Sequence, residues 1–246
     1  MTWGLWNTWL LPGIWVTLQV LVLSAALGAV VAFAIGLART SRLWIVRFLS
    51  GVYFEVFRGT SALVLMFWMF FVMPLAFGWQ LVPMWAAVLA LGLSYGAYGS
   101  EVVRGAVQSV ATAQREAGIA LSFTPAQRMR RIILPQAWPE MIPPFNNLLI
   151  ELLKGTALVS IISVADITFA GGLIRNATGE SSKIYTIILL MYFVLAFVIT
   201  RGMRVLERSA KAGIGQGEPR RGLFTRRPDS RGEQAQPAAQ TPGGAG

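Results

Sequence analysis

QREAGIALSFTPAQRMRRIILPQA, residues 114–137, is a long polar and arginine-rich stretch set between strongly apolar segments. A chain of this make-up faces water. Its glutamate, small residues, Thr-Pro step, arginine cluster and closing Ile-Ile-Leu-Pro suit a docking element better than a connecting loop. A helical pattern runs to Leu121 and is interrupted at residues 122–125. A second helix then starts with Thr124 as N-cap, Pro125 at the first helical position and Gln127 three residues after the cap. This is a capping box: the threonine oxygen accepts from the amide at N3, and the glutamine reaches back to the cap. Pro135 and Pro139 are expected to limit that helix. Two short helices at an angle, held by apolar side chains such as Ile132 and Leu134, form a lever that another protein can grip.

The flanking segments set the class. Of 246 residues, 55% are hydrophobic and only 13% charged, with a mean hydropathy of +0.59. That composition argues against a soluble fold and for an all-helical polytopic membrane protein. The net charge of +10 lies almost entirely between and after the apolar runs, a distribution that membrane topology explains without nucleic acid. There is no cysteine and no histidine, which removes disulfides, zinc or haem ligation by those residues and His-dependent triads. No catalytic constellation and no metal site is expected.

Five spans follow from the apolar runs, at about residues 13–38, 57–77, 84–103, 141–165 and 184–199. Each is near the length needed to cross the hydrocarbon core, about 20 residues at a rise of 1.5 Å. The amino-terminus carries Trp3, Trp6, Trp9 and Trp15 but no Lys or Arg before Arg39, unlike a secretory signal. Arg39, Arg42 and Arg47 follow the first span, and Arg201, Arg204, Arg208 and Lys211 follow the last. The positive-inside rule therefore puts the amino-terminus outside and the carboxy-terminus inside. Residues 47–55 read as an interfacial helix feeding the second span, residues 104–140 as a cytoplasmic loop, and residues 166–183 as the largest external loop. A transmembrane domain over residues 1–211 precedes a tail, residues 212–246, whose composition predicts a disordered basic cytoplasmic segment able to touch anionic lipid. On the third span, Gly92, Gly96 and Ser100 share a face that permits close helix approach.

Polar groups inside the spans are few. Glu-x-x-cation pairs occur at Glu55 and Arg58, Glu101 and Arg104, and Glu151 and Lys154. The first two lie at cytoplasmic ends of spans and read as anchors or salt bridges. Glu151 and Lys154 sit about ten residues into the fourth span, where charge is costly and is normally paired or faces a water-filled pathway. With Asn147 and Thr156 they form a polar stripe, read equally as a static ion pair or as part of a substrate pathway. Ser94, Tyr95 and Tyr98 are the other polar groups at depth, and the tyrosine rings suit a cationic substrate group.

The polar stretch resembles the cytoplasmic EAA loop of ATP-binding-cassette importer permeases: Glu-Ala-Ala, three residues, Gly, nine residues, then Ile-x-Leu-Pro. Glu116-Ala117-Gly118, Ser122 and Ile132-Ile133-Leu134-Pro135 stand at that spacing, with Gly118 for the second alanine and Ser122 for the glycine. Both replacements are small, so packing into a partner groove survives. Serine is less free than glycine to adopt positive φ, so the turn is expected to rely on the Thr-Pro step. Phe57-Arg58-Gly59-Thr60 and Glu151 to Thr156 are similar to the polar amino acid subfamily, with Ser61 where many members have proline. The run after Gly59 and the stretch around Asp166 to Ser181 look closest to permeases for ectoine and hydroxyectoine.

The resemblance implies the importer-permease fold in a bacterial plasma membrane. It also implies a second permease chain, as a homologous heterodimer ahead of a homodimer, two ATPase subunits carrying ATP and Mg, and an external solute-binding protein. Arg115, Glu116, Ala117, Gly118, Ser122, Phe123, Thr124, Pro125, Arg128, Leu134 and Pro135 would couple to the ATPase. No cofactor is expected in this chain, since it has no Gly-x-x-x-x-Gly-Lys-Ser/Thr phosphate loop. The implied solute is ectoine or hydroxyectoine, with glutamine or glutamate as the alternative. From another class, an ion-coupled secondary transporter or channel would use Glu151 and Lys154 as its proton-linked pair.

Overall fold

The computed structural model describes residues 6–213, with side chains over residues 8–210. Among them there are helices and short connections and no strand. Helix α1, Leu11–Ala38, is apolar on all sides, as a segment surrounded by lipid and protein must be. One row of small residues is nevertheless distinct: Ser24, Gly28, Ala32 and Gly36 are all buried. They meet helix α4, Pro83–Ser109, along Gly92, Gly96, Gly99 and Ser100. A Cβ built on Gly36 would lie 2.8 Å from the Ser100 carbonyl oxygen, and one on Gly96 would lie 3.2 Å from that of Gly28. The two backbones are in near contact, so dispersion replaces the hydrophobic drive that lipid cannot supply. The glycine face expected on the third span thus finds its partner in the first.

Between them the chain departs from the expected topology. Helix α2, Trp44–Gly59, is amphipathic and exposes Trp44, Phe48, Val52 and Val56. It includes Phe57, so the second span does not begin there. Thr60 and Ser61 are extended, and the chain turns by 98° into helix α3, Ala62–Phe77. The bend has a local cause: the helix runs out at Gly59, where the Thr60 hydroxyl donates back to the Val56 carbonyl at 2.8 Å. Helix α4 in turn continues to Ser109, past the expected end at 103.

After α4, helix α5, Thr112–Ala120, leads to a corner from which helix α6, Pro125–Ile162, runs unbroken for 38 residues. This corrects two expectations. Pro135 and Pro139 do not limit a short helix, and residues 104–140 are not a separate loop, because the polar arm and the fourth span are one rod. The chain stays helical through its prolines by widening the turn ahead of them. The π turn Met129–Ile133 precedes Pro135, just as Trp68–Val72 precedes Pro74 and Trp6–Leu10 precedes Pro12. In two of these the residue before proline donates five positions back, Leu134 to Met129 and Met73 to Trp68. That shift moves aside the carbonyl that the pyrrolidine ring would strike. The rod tightens to a 3₁₀ turn at Thr156–Ile162 and stops at Ser163, φ +64°.

The expected external loop is largely helix. Asp166 caps helix α7, Ile167–Thr178, by accepting the Phe169 amide proton on Oδ1 at 2.8 Å. The Tyr192 hydroxyl donates to its Oδ2 at 3.2 Å, and the Ile167 amide donates to Thr17 Oγ1 at 3.2 Å. Burial raises the Asp166 carboxyl above its ordinary value against the pull of the Phe169 and Thr168 amides. Helix α8, Ser181–Gly213, is longer than the expected 184–199 and carries Arg201, Arg204 and Arg208 within it. The expected disordered tail lies, beyond Gly213, outside the described residues.

Candidate functional site

The corner at residues 121–124 is built by two adjoining devices. Helix α5 ends with the Phe123 amide donating to the Gly118 carbonyl at 3.0 Å and the Ser122 amide to that of Ile119 at 2.8 Å. This paired closure requires a left-handed residue, and Ser122 supplies it with φ +57°. The turn therefore does not rely on the Thr-Pro step alone: serine takes the conformation expected to be difficult for it. Thr124 then opens α6, accepting the Gln127 amide on Oγ1 at 3.3 Å and donating its own amide to Gln127 Oε1 at 2.9 Å. Both halves of the capping box are formed.

The two arms are held against each other by this chain itself. Gly118 is buried, and a Cβ there would lie 2.9 Å from both Arg128 Cγ and Ile132 Cδ1. Its small size serves the crossing of α5 and α6. Arg115 donates to the Val107 carbonyl in the last turns of α4, and Arg131 stands 6.0 Å over the Phe123 ring. Leu134 and Pro135 continue the rod. Glu116, Ala117, Ser122, Thr124 and Pro125 remain exposed, together with two apolar tips that sequence reasoning passed over, Ile119 at 59% and Leu121 at 65% exposure. Their signal was available: Ile119, in the last turn of α5, and Leu121, its C-cap, are the large apolar residues between Thr112 and Ser122. The corner is thus a rigid one that turns charged, small and apolar groups outward.

Within the rod, Asn147, Glu151 and Lys154 are exposed at spacings of four and three, on one face. Glu151 and Lys154 form no ion pair with each other, nor do Glu55 and Arg58. Thr156 does not share this face: it is fully buried, its hydroxyl donating to the Leu153 carbonyl at 2.7 Å. Ser94 is also buried, and its hydroxyl has no partner among the described residues. Tyr95 and Tyr98 come to the stripe from α4, their rings 6.2 Å apart. The Tyr95 hydroxyl donates to the Glu151 carbonyl at 3.0 Å, and that of Tyr98 to the Arg58 carbonyl at 3.3 Å. These bonds use backbone oxygens and leave the Glu151 carboxylate without a partner among the described residues. The end of α2, the middle of α4 and the middle of α6 thus converge on one edge that offers an ammonium, a carboxylate, an amide and two aromatic rings. Such a set complements a zwitterion.

Glu101 behaves differently. It pairs with Arg104, as its spacing suggests, and also with Arg39 at the end of α1, at 2.6 Å. The Arg39 guanidinium lies 4.0 Å over the buried Phe54 ring, with that of Arg58 at 5.5 Å. The Arg39 partner, 62 positions away, has no local signal in the sequence.

A family model described as "Binding-protein-dependent transport system inner membrane component" matches residues 24–212. A probable amino-acid ABC transporter permease protein of Sinorhizobium fredii is 47% identical over 212 residues, covering 83% of this chain and 89% of the relative. A glutamine transport system permease protein of Escherichia coli is 36% identical over 203 residues, covering 82% and 93%. Among solved structures, an amino acid ABC transporter crystallised with histidines is similar, with a TM-score of 0.77 at 30% identity over 83% of this chain and 95% of that one.

Proposed function

Because the chain belongs to the family of binding-protein-dependent transport system inner membrane components, we propose that it is the permease of an ATP-driven importer for a polar amino acid, glutamine or glutamate foremost. The single observation that carries this reading is the 38-residue rod α6. Its inner end is the gripped corner, and its middle carries the Asn147, Glu151 and Lys154 stripe, so motion imposed at one reaches the other as a rigid body. ATP and Mg bind a separate ATPase subunit in this reading, two of which grip the corners of a permease pair. A second permease chain, homologous rather than identical, covers the charged face that a lone chain leaves in the membrane. The substrate then passes between the two, its carboxylate toward Lys154 and its ammonium toward Glu151 and the tyrosine rings.

The ectoine expectation gives way here. The relatives reported above are named for amino acids, glutamine among them, and nothing in the site favours a cyclic compatible solute. The test is ATP hydrolysis by the reconstituted importer, given external binding proteins loaded in turn with glutamine, glutamate, a basic amino acid and ectoine. Stimulation by glutamine or glutamate is expected. Stimulation by ectoine alone would restore the discarded solute, and uptake driven by an ion gradient without ATP would replace the importer with a secondary transporter.

A further inference from the structure

The charges around Phe54 do not balance. This buried ring of α2 has the Arg39 guanidinium 4.0 Å and the Arg58 guanidinium 5.5 Å from its centroid. Glu101 joins the group from α4, its Oε2 accepting from Arg39 at 2.6 Å and from Arg104 at 3.0 Å, and its Oε1 accepting from Arg104 as well. Three guanidinium groups therefore meet one carboxylate, and both oxygens of that carboxylate are engaged by Arg39 and Arg104. Arg58 is left over. Its side chain is exposed, and among the described residues no carboxylate stands within ion-pair distance of it, Glu55 on the preceding turn of α2 included. An aromatic ring positions a guanidinium without neutralising it. Beside a membrane such a charge is normally paired or turned to a water-filled route.

The place of Arg58 is tied to the polar stripe. Its carbonyl accepts the Tyr98 hydroxyl proton at 3.3 Å, the Tyr98 and Tyr95 rings are 6.2 Å apart, and the Tyr95 hydroxyl donates to the Glu151 carbonyl at 3.0 Å. A line of contacts thus runs from Glu151 through two rings to Arg58. Tyr95, Tyr98 and Glu101 follow one another along α4 at intervals of three residues, about 4.5 Å each. They lead toward the end of α4 that meets Arg39 after the first span, the cytoplasmic end by the positive-inside rule. Lys154 lies the other way, farther along α6 from the corner than Glu151. Arg58 therefore stands inward of the stripe and Lys154 at its outer side.

We propose that Arg58 is a second carboxylate-binding site, inward of Lys154, that receives the α-carboxylate of the amino acid on its way to the cytoplasm. The site rests on the importer reading above and adds a station to its pathway. A planar guanidinium meets a carboxylate through two parallel hydrogen bonds, whereas an ammonium offers a point charge. Phe54 supports this fork from behind, and Glu101, already engaged, does not compete for it. The substrate supplies the counter-ion that the chain withholds, and the Tyr98 ring faces its ammonium.

The importer, reconstituted in vesicles with its ATPase and binding protein, is assayed for ATP-driven uptake of radiolabelled glutamine and glutamate. Uptake is expected to follow the charge at position 58, highest in Arg58→Lys, lower in Arg58→Gln and lowest in Arg58→Glu. Arg58→Gln should lose at least about tenfold in maximal rate. The concentration of loaded binding protein giving half-maximal uptake should not move, because docking is external and Arg58 lies inward. The thermal midpoint in detergent should also hold, and Arg42→Gln, which removes an exposed cation between α1 and α2, should transport as wild type. The site is overturned by wild-type uptake in Arg58→Gln, by an order that ignores charge, by a loss matched in the thermal midpoint, or by an equal loss in Arg42→Gln. Should Arg58→Glu fail to assemble, Arg58→Lys and Arg58→Gln decide, and equal uptake by the two rejects the site. If the wild-type importer takes up neither amino acid on ATP, the importer reading falls and this site with it. Normal wild-type uptake alongside any of the overturning results removes Arg58 alone.

Discussion

Ser122 shows what a single residue costs the corner. A left-handed conformation is unfavourable by roughly 1–2 kcal/mol for a residue with a Cβ, while glycine gives back part of that gain in unfolded-chain entropy. Ser122→Gly, at φ +57°, is therefore expected to stabilise the purified chain by about 0.5–1 kcal/mol, read as a raised midpoint of thermal unfolding in detergent. An unchanged or lowered midpoint would mean that the serine side chain offsets its own strain. The neighbouring Thr124 works in the opposite sense: Thr124→Ala removes a cap whose loss typically costs about 1 kcal/mol. The contrast explains what was legible here. The capping box could be read because its partners stand three positions apart and each residue type performs its usual role. The conformation of Ser122 could not, because it is imposed by the closure of α5 onto Gly118 and Ile119, which overrides the local preference of serine.

At the scale of elements, the seam between α1 and α4 is where, among the described residues, a Cβ added to glycine would come nearest to another helix's backbone. At Gly36 a Cβ would lie 2.7 Å from Val103 Cβ and 2.8 Å from the Ser100 carbonyl oxygen. The Ser100 backbone cannot yield without moving α4. Gly36→Val is expected to destabilise the chain by about 1–3 kcal/mol, the usual penalty of overpacking. Gly51 on α2 meets nothing within 4 Å, so Gly51→Ala should instead gain up to about 1 kcal/mol of helix propensity. Thermal unfolding of the two variants side by side checks both signs, and equal destabilisation would rule out the seam as the cause. The α4 half of this contact was visible in Gly92, Gly96 and Ser100, whereas its α1 half, Ser24, Gly28, Ala32 and Gly36 at a spacing of four, was passed over in an apolar run. Two features could not be read that way. The 98° turn at Thr60 and Ser61 falls inside the stretch read as one span, which took in the polar run from Arg58 to Ser61. The continuity of α6 through Pro135 and Pro139 depends on a π turn, whose widened register leaves no mark in composition. Proline was read as a stop where the chain uses it to set the register of a rod.

Over the whole molecule, one helix joins two surfaces: a corner facing water and a polar stripe facing the proposed pathway. Evidence for a transport role of the stripe must separate chemistry from folding, and Glu151 allows that separation. Its carbonyl, not its carboxylate, accepts the Tyr95 hydroxyl proton, so Glu151→Gln keeps the bond that fastens α4 to α6. The side chain is exposed, and substitutions at such positions usually change stability by no more than about 0.5 kcal/mol. Losing a hydrogen bond to a charged group typically costs about 1.5–3 kcal/mol, which is roughly tenfold to a hundredfold in the rate of substrate passage. Glu151→Gln is therefore expected to assemble with its partners and keep its thermal midpoint, while uptake into vesicles falls at least about tenfold. Lys154→Gln should behave alike, because no ion pair links it to Glu151 and each must meet the zwitterion on its own. Wild-type uptake by the glutamate variant would remove the stripe from the pathway. A fall in uptake matched by a fall in thermal midpoint would make Glu151 a structural residue, and the route of the substrate would then have to be sought elsewhere on the permease pair.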